Sequence, residues 1–318
     1  MRIEPPVANL SNQIPLLIAG PTAVGKSEIA LRLAEQLGGE IVSVDSMQVY
    51  QGLDVGTAKP TTAERARVKH HLIDVAALTD SFDAAKFVAL TQAAVSAIAS
   101  RGKIPVFCGG TGLYFKAFLE GLGGAPPAEA SLRADLEAMP LAALLAELRT
   151  RDPQTFAKID QQNPRRVVRA VEVIRLTGRP FSEQRAAWAH APRTTPHVAF
   201  GISRATPDLH ARIHARVDEM FRRGLVEETR QLLDLGLAQN PTAMQAIGYR
   251  QVVEYLRGER SLPQTIELVK ARTRQFAKRQ LTWFHKFAAL EWIELSTPAT
   301  LDAAVQRIAE RWKAAVAT

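Results

Sequence analysis

One cysteine, Cys108, in 318 residues leaves this chain without an internal disulfide and without a cysteine-built zinc centre. Long hydrophobic runs are missing as well. A membrane-spanning helix needs roughly 20 apolar residues, and the longest early run, Ile14 to Ala19, falls far short. The N-terminus carries Arg2 but neither a long apolar stretch nor a small-residue cleavage site, so no secretory leader is expected. Repeats and low-complexity tracts are absent too. These absences point to a cytoplasmic address. One further absence is local: from Leu268 to Leu290 there is no acidic residue.

What is present is an ordinary globular composition, 47% hydrophobic and 23% charged, with a net charge of +8 and a sequence pI near 9.8. That balance favours polyanionic partners, because phosphates attract Lys and Arg and their binding releases counterions. Charge alone does not separate a nucleic-acid binder from a mildly basic housekeeping protein; its arrangement must.

The first third alternates strand and helix. Strands are expected at Pro15–Gly20, Glu40–Asp45, His71–Val75 and Lys103–Cys108, and helices at Lys26–Leu37 and Asp83–Ser100. This reads as an α/β fold, a P-loop NTPase-like parallel sheet flanked by helices, with ligands gathered at the carboxyl ends of the strands. Gly121 to Pro127 breaks the pattern, and Ala- and Arg-rich helical sequence follows. We expect a helical insertion domain at 121–200 within a core formed by 1–120 and 201–318. After a strand at His197–Ser203, helices are expected at 207–235, 242–257 and 263–287, then a strand at Leu290–Leu295 and a final helix.

Residues 20–27 read G-P-T-A-V-G-K-S, a full match to the phosphate-binding G-x-x-x-x-G-K-[ST] pattern. Gly20 and Gly25 let the backbone wrap an anion, and the helix starting at Lys26 aims its positive end at it. Lys26 is expected on phosphate oxygens and the Ser27 hydroxyl on Mg²⁺. The pattern recognises a diphosphate without saying which molecule carries it, and no guanine-reading N-K-x-D follows. Asp45 ends the second expected strand, on the same rim. It can be a turn cap, a magnesium ligand or a general base. Cys108 is expected to be a buried strand residue.

The acid-free segment interleaves Lys270, Arg272, Arg274, Lys278, Arg279 and Lys286 with Phe276, Trp283, Phe284 and Phe287. On a helix Arg272, Gln275, Arg279 and Trp283 share a face. The aromatics are expected mostly in the core and the basic face on RNA phosphates. Arg165, Arg166 and Arg169 crowd one further helical turn, opposed only by Glu172.

The blocks G-P-T-A-V-G-K-S, S-V-D-S-M-Q-V-Y-Q-G-L-D-V-G-T-A-K-P (43–60), H-H-L-I-D-V (70–75) and G-G-T-G-L-Y-F-K-A (109–117) resemble the tRNA dimethylallyltransferase family. N-P-R-R-V-V-R-A-V-E-V (163–173), R-I-H-A-R-V-D-E-M (212–220), Q-A-I-G-Y-R-Q (245–251) and R-Q-F-A-K-R-Q-L-T-W-F (274–284) continue the resemblance in order, from about 14 to 295. It implies transfer of a dimethylallyl group from dimethylallyl diphosphate to N6 of adenosine 37, beside the anticodon of a tRNA, with release of diphosphate. It also implies that Gly20, Pro21, Thr22, Ala23, Val24, Gly25, Lys26 and Ser27 hold that diphosphate, with Asp45 as general base and Thr22 and Arg216 assisting on phosphate.

By the same resemblance tRNA contacts fall on Asp45, Ser46, Met47 and Gln48, on Thr111 and Arg133, and on Arg165, Arg166, Val167, Val168 and Arg169. Further contacts are implied at Gln245, Ala246, Ile247, Gly248, Tyr249 and Arg250, and at Arg274, Gln275, Phe276, Ala277, Lys278, Arg279, Gln280 and Leu281. Gln48 is also a candidate reader of adenine edges, by its amide. The target base must leave its stack to react. A monomer is expected. The rival from residues alone is a P-loop nucleotide kinase with a helical lid; others are an RNA-binding NTPase and an adenine-nucleotide isopentenyltransferase, which would not need the basic 274–284 segment.

Overall fold

A computed structural model of the chain describes residues 14–122, 125–184, 196–287 and 290–317. Six strands make one parallel sheet: β1 (Leu16–Ala19), β2 (Gly39–Val44), β3 (His70–His71), β4 (Ile104–Gly109), β5 (Val198–Arg204) and β6 (Glu291–Leu295), in the order β3-β2-β4-β1-β5-β6. β1, β2 and β4 are buried along their whole length. That is why they read as near-continuous apolar runs rather than as alternating ones: helices cover both faces of a parallel sheet.

α1 (Lys26–Leu37) buries Ile29, Ala30, Leu33 and Ala34, and ends at Gly38, whose left-handed backbone returns its N–H to Ala34 O. α2 (Thr62–Arg67) is a single capped turn and a half, closed at its start by a Thr61–Glu64 capping box. α3 (Ala84–Ala99) starts on Asp83, whose carboxylate accepts from the N–H groups of Ala85 and Lys86. After β4 comes α4 (Gly112–Glu120).

Internal packing divides the chain into Met1–Phe115 with Pro196–Thr318, and Lys116–Thr195. The second unit is helical: α5 (Ala130–Ala138), α6 (Leu141–Arg151), α7 (Pro153–Lys158) and α8 (Pro164–Thr177) close on Leu136, Leu144, Leu148, Val167, Val171 and Ile174. Its boundary lies before the expected residue 200, because β5 pairs with β1 and so belongs to the sheet unit. There the chain continues through α9 (Thr206–Arg222), α10 (Leu225–Asp234), α11 (Tyr249–Leu256), α12 (Leu262–Phe284) and α13 (Pro298–Val316).

Three expectations need correction. The third strand covers only His70–His71, since Leu72 and Asp74 take positive φ of 61° and 58° and turn the chain out of the sheet. The helix expected at 207–235 is two, broken at Gly224 with φ 95°. The one expected at 242–257 is a short 3₁₀ turn, Ala243–Gln245, then α11 beyond Gly248. Both breaks are glycines taken for helix interior. Among the described residues no helix is long and apolar enough to cross a membrane.

At the far rim from the strand ends, Glu40 on β2 is 2% exposed and accepts from Arg101 at 2.6 Å and His71 at 2.6 Å, with Lys103 Nζ at 3.2 Å. Burial pushes its carboxyl up, but these three neighbours outweigh burial and hold the pKa at about 2. A depressed carboxyl contributes stability above its ordinary pKa of 4.5 and loses it as pH falls towards 2. Glu40→Gln is therefore expected to cost about 3 kcal/mol at pH 7, as breaking a buried ion pair does. In urea melts that deficit should shrink as pH falls from 4.5; a pH-independent deficit would remove the ionic origin.

Candidate active site

Strand register sets the site. Ala19 of β1 lies opposite Gly109 of β4, which lies opposite Val44 of β2. The phosphate loop, the turn after Val44 and the turn after Gly109 therefore emerge side by side at the carboxyl rim. They surround a cavity of about 410 Å³ whose lining includes Thr22, Lys26, Ser27, Asp45, Thr111 and Arg216. A second recess of similar volume lies outside the loop, against Ser27, Glu28, Glu64, Arg212 and Arg216.

The loop is braced from both sides. Gly25 takes φ 109° at the entrance to α1, and Lys26 Nζ donates to Pro21 O at 3.0 Å, folding back across its own loop. Outside, Arg204 Nε donates to Val24 O at 2.8 Å and Arg212 Nε to Ala23 O at 2.9 Å. Sequence reasoning missed Arg204; the only signal was an arginine ending an otherwise apolar strand. Inside, burial lowers the pKa of Lys26, Arg216 lowers it further, and Cys108 and Asp45 oppose them. Burial also lowers Arg216, against the pull of Asp45. Two half-buried cations thus share the cavity with the Asp45 carboxylate, an arrangement suited to a polyanion. Cys108 is buried beside them, and burial pushes its thiol up to about 11. It stays protonated, as expected of a strand residue.

Asp45 follows β2, and its Oδ1 accepts from Met47 N at 2.8 Å and Gln48 N at 3.3 Å. It is a turn cap, which leaves Oδ2 with no hydrogen bond among the described residues. Capping does not compete with the other readings: it fixes the carboxyl so that its second oxygen can serve the cavity. Thr111 Oγ1 accepts from Ser46 N at 3.1 Å, tying the same turn to the 109–112 turn.

The Gln48 amide is spent on the scaffold. Its Oε1 accepts from Ser43 Oγ at 2.9 Å, and its Nε2 donates to Thr57 O at 3.2 Å. Adenine reading by this side chain would require breaking both. Thr57 O also receives Arg216 Nη2 at 3.4 Å. The same loop is held by Lys59, whose side chain is 2% exposed. Lys59 donates to Tyr50 O at 2.6 Å and Asp54 at 2.7 Å, and it pairs with Asp74. Sequence reasoning quoted Lys59 only within a block and gave it no role.

The residues implied for RNA separate by burial. Arg165, Arg166, Gln245, Arg250 and Gln275 are exposed, as are Lys278 and Arg279, whose guanidinium lies 5.8 Å from the ring of Phe276. Phe276, expected in the core, is exposed and lines the cavity. Arg274 is half-buried against His214. Val167 and Val168 are core residues of the helical unit, and Ala246, Gly248 and Ala277 are buried in the sheet unit. These five positions are packed inside the protein.

Tyr249 is fully buried; its hydroxyl donates to Glu228 at 2.6 Å and accepts from Gly56 N at 3.1 Å. Gln280 is 7% exposed and bonded within the protein. Arg133 and Arg169 both pair with Glu172, which is fully buried, at 2.8 and 2.6 Å. Glu172 is thus the organising carboxylate of the helical unit rather than a stray opposing charge. In each case the missing signal was three-dimensional: a segment quoted whole contains one exposed face and one packed face.

Comparison with known proteins agrees along most of the chain. The family model described as IPP transferase matches residues 48–287. A tRNA dimethylallyltransferase of Geobacter sulfurreducens is 45% identical over 291 residues, 90% of this chain and 93% of the relative. Among solved structures, the tRNA isopentenylpyrophosphate transferase of Bacillus halodurans is 36% identical with a TM-score of 0.70, covering 95% of this chain and 98% of that one. A eukaryotic dimethylallyltransferase crystallised acting on tRNA is 27% identical with a TM-score of 0.78, covering 93% of this chain and 77% of that one.

Tyr249→Phe removes the hydroxyl that bridges Glu228 and Gly56, both half-buried. It is expected to cost about 1–3 kcal/mol of stability in a denaturant melt while changing RNA affinity less than twofold. A large loss of RNA affinity without loss of stability would return Tyr249 to the RNA surface.

Proposed function

The chain belongs to the IPP transferase family, and on that footing we propose that it transfers the dimethylallyl group of dimethylallyl diphosphate to N6 of adenosine 37, beside the anticodon of a tRNA, and releases diphosphate. It is a prenyltransferase working on tRNA, and family membership decides against the nucleotide kinase with a helical lid. The observation that carries the reading is that Lys26 of the phosphate loop, Arg216 and Asp45 line one cavity at the carboxyl rim of the sheet.

The chemistry asks for such a site. When the allylic C–O bond breaks, positive charge spreads over the allyl carbons and negative charge collects on the diphosphate. Lys26, Arg216 and the loop N–H groups hold that leaving charge in a half-buried cavity, where each interaction is stronger than in bulk water. The exocyclic amine of adenine is a weak nucleophile, since its lone pair is delocalised into the ring. Asp45 Oδ2 takes the amine proton as the C–N bond forms, while the cap on Oδ1 keeps the carboxyl aimed. Thr22 lines the same cavity as Lys26 and Asp45.

Magnesium fits as a companion of the diphosphate. Among the described residues no cluster of three or more His, Cys, Asp or Glu could cage an ion, and Mg²⁺ with phosphates commonly takes few protein ligands and several waters. Ser27 Oγ would hold it, and it would add charge neutralisation on the leaving group. RNA phosphates are taken by the exposed face of α12, with Arg272, Lys278 and Arg279, and in the helical unit by Arg165 and Arg166. The enzyme acts as a monomer in the cytoplasm.

Two outcomes test this. Asp45→Asn keeps an oxygen for the turn cap but cannot accept the proton. With unmodified tRNA and labelled dimethylallyl diphosphate it is expected to retain tRNA affinity and lose at least a hundredfold in transfer; unaltered transfer removes Asp45 as base. Replacing Arg272 and Lys278 together by Ala should weaken tRNA binding and reduce the slope of log affinity against log salt by about 1.4 to 1.8. Affinity for the diphosphate substrate should stay constant, and an unchanged salt slope clears this face of an RNA role.

A further inference from the structure

Gln280 sits on the inward face of α12, one turn before the end of that helix, and is 7% exposed. Its Oε1 accepts from Thr22 N at 2.9 Å, inside the phosphate loop, and its Nε2 donates to Gly110 O at 3.0 Å, in the turn after β4. One side chain thus clamps the two loops that flank the cavity. Local sequence around the clamp is shaped to admit it. A Cβ on Gly110 would fall 2.1 Å from Gln280 Nε2, and one on Gly112 would fall 2.1 Å from the Trp283 ring, on the same helix. Only glycine at both positions lets α12 approach this closely.

We propose that Gln280 is a positioning residue for the reaction: it sets the shape of the diphosphate cradle from α12. The proposal rests on the reading of the cavity as a diphosphate site. The Thr22 N–H is committed to Gln280, so the phosphate loop takes its curvature from a residue more than 250 positions away. Release of that bond frees the loop at Thr22 and lets the Thr111 side of the cavity drift from it, since the same amide tethers both. Gln280 does not touch the reacting atoms. It acts through Thr22 and Gly110, and its loss is felt in the fit of the diphosphate and in the rate rather than in RNA recognition, because the exposed Arg272 and Lys278 of the same helix lie outside the cavity.

The test uses the full chain. Gln280→Met keeps length and removes both hydrogen bonds; Gln280→Asn keeps both groups one methylene short of reach. Titration of the wild-type protein and both variants with inorganic diphosphate and Mg²⁺ by calorimetry comes first, then steady-state transfer with tRNA. Expected for each variant is roughly a tenfold weaker diphosphate affinity and KM for dimethylallyl diphosphate, and a kcat lower by up to about a hundredfold, as a loosened constellation gives. The KM for tRNA should stay within twofold.

Diphosphate affinity and kcat equal to wild type in a folded variant overturn the proposal, as does a uniform loss in which the KM for tRNA rises equally. If Gln280→Met melts early, Gln280→Asn, read at a temperature where it is folded, decides between the same outcomes. A wild-type protein that binds no diphosphate would overturn the cavity reading itself, and the proposal with it, and is told apart from failure of the clamp alone by being visible before any substitution is made.

Discussion

Placing Lys26 and Arg216 together, half-buried at one cavity, is unfavourable, because each loses part of its hydration and each raises the other's cost. Burial lowers both pKa values, and one carboxylate, Asp45, only partly offsets it. A protein tolerates such a pair where a ligand supplies the missing negative charge. Much of the rim serves to hold these groups in place while the charge is unbalanced. Arg204 and Arg212 tie the loop carbonyls outward, Lys26 crosses to Pro21, and Gln280 pins Thr22. The cradle is stiff because its hydrogen bonds come from β5, α9 and α12 as well as from itself.

The opposite wall follows a related logic with the charges paired. Lys59, nearly inaccessible, joins the Tyr50 carbonyl to Asp54 and Asp74, and Arg65 closes on Asp74 at 2.9 Å. Burial pushes the Asp74 carboxyl up, while Lys59 and Arg65 outweigh it and bring its pKa below the ordinary value. Glu228 receives the backbone of Val55 and the hydroxyl of Tyr249. An irregular segment between β2 and β3 thereby becomes a fixed wall, and Asp45 and Gln48 at its start inherit that order. Lys59 is the buried member of these pairs, so removing both its carboxylate partners would strand a buried cation.

α12 shows how one helix serves two purposes through its period. Ala277, Gln280 and Phe284 face inward at i, i+3 and i+7, while Arg272 and Lys278 face out. The inward face sets the cradle and the outward one offers charge to RNA. Phe276 lies between them at the cavity mouth with Arg279 over its ring. The helical unit repeats the principle on a smaller scale: the buried face of α8 carries Val167, Val168 and Glu172, and its exposed side carries Arg165 and Arg166.

Much of this was legible in the chain itself, for a local reason. Strand and helix periodicity, the glycines of the phosphate loop and the apolar runs of a doubly covered sheet are short-range patterns, so β1, α1, β2, α3 and β4 were readable within a residue or two of each end. The loop 20–27 announces its ligand chemistry because backbone N–H groups and one lysine suffice to hold phosphate. Hidden were the partners that come from far along the chain. Gln280 and Tyr249 sit in segments that read as RNA contacts and prove to be struts. Arg204 and Glu172 gained their roles only when folding brought the Val24 carbonyl to the one and the Arg133 guanidinium to the other, within 3 Å or so. A residue's type states what it can bond; which face of its helix is turned inward, and what waits there, is decided by packing.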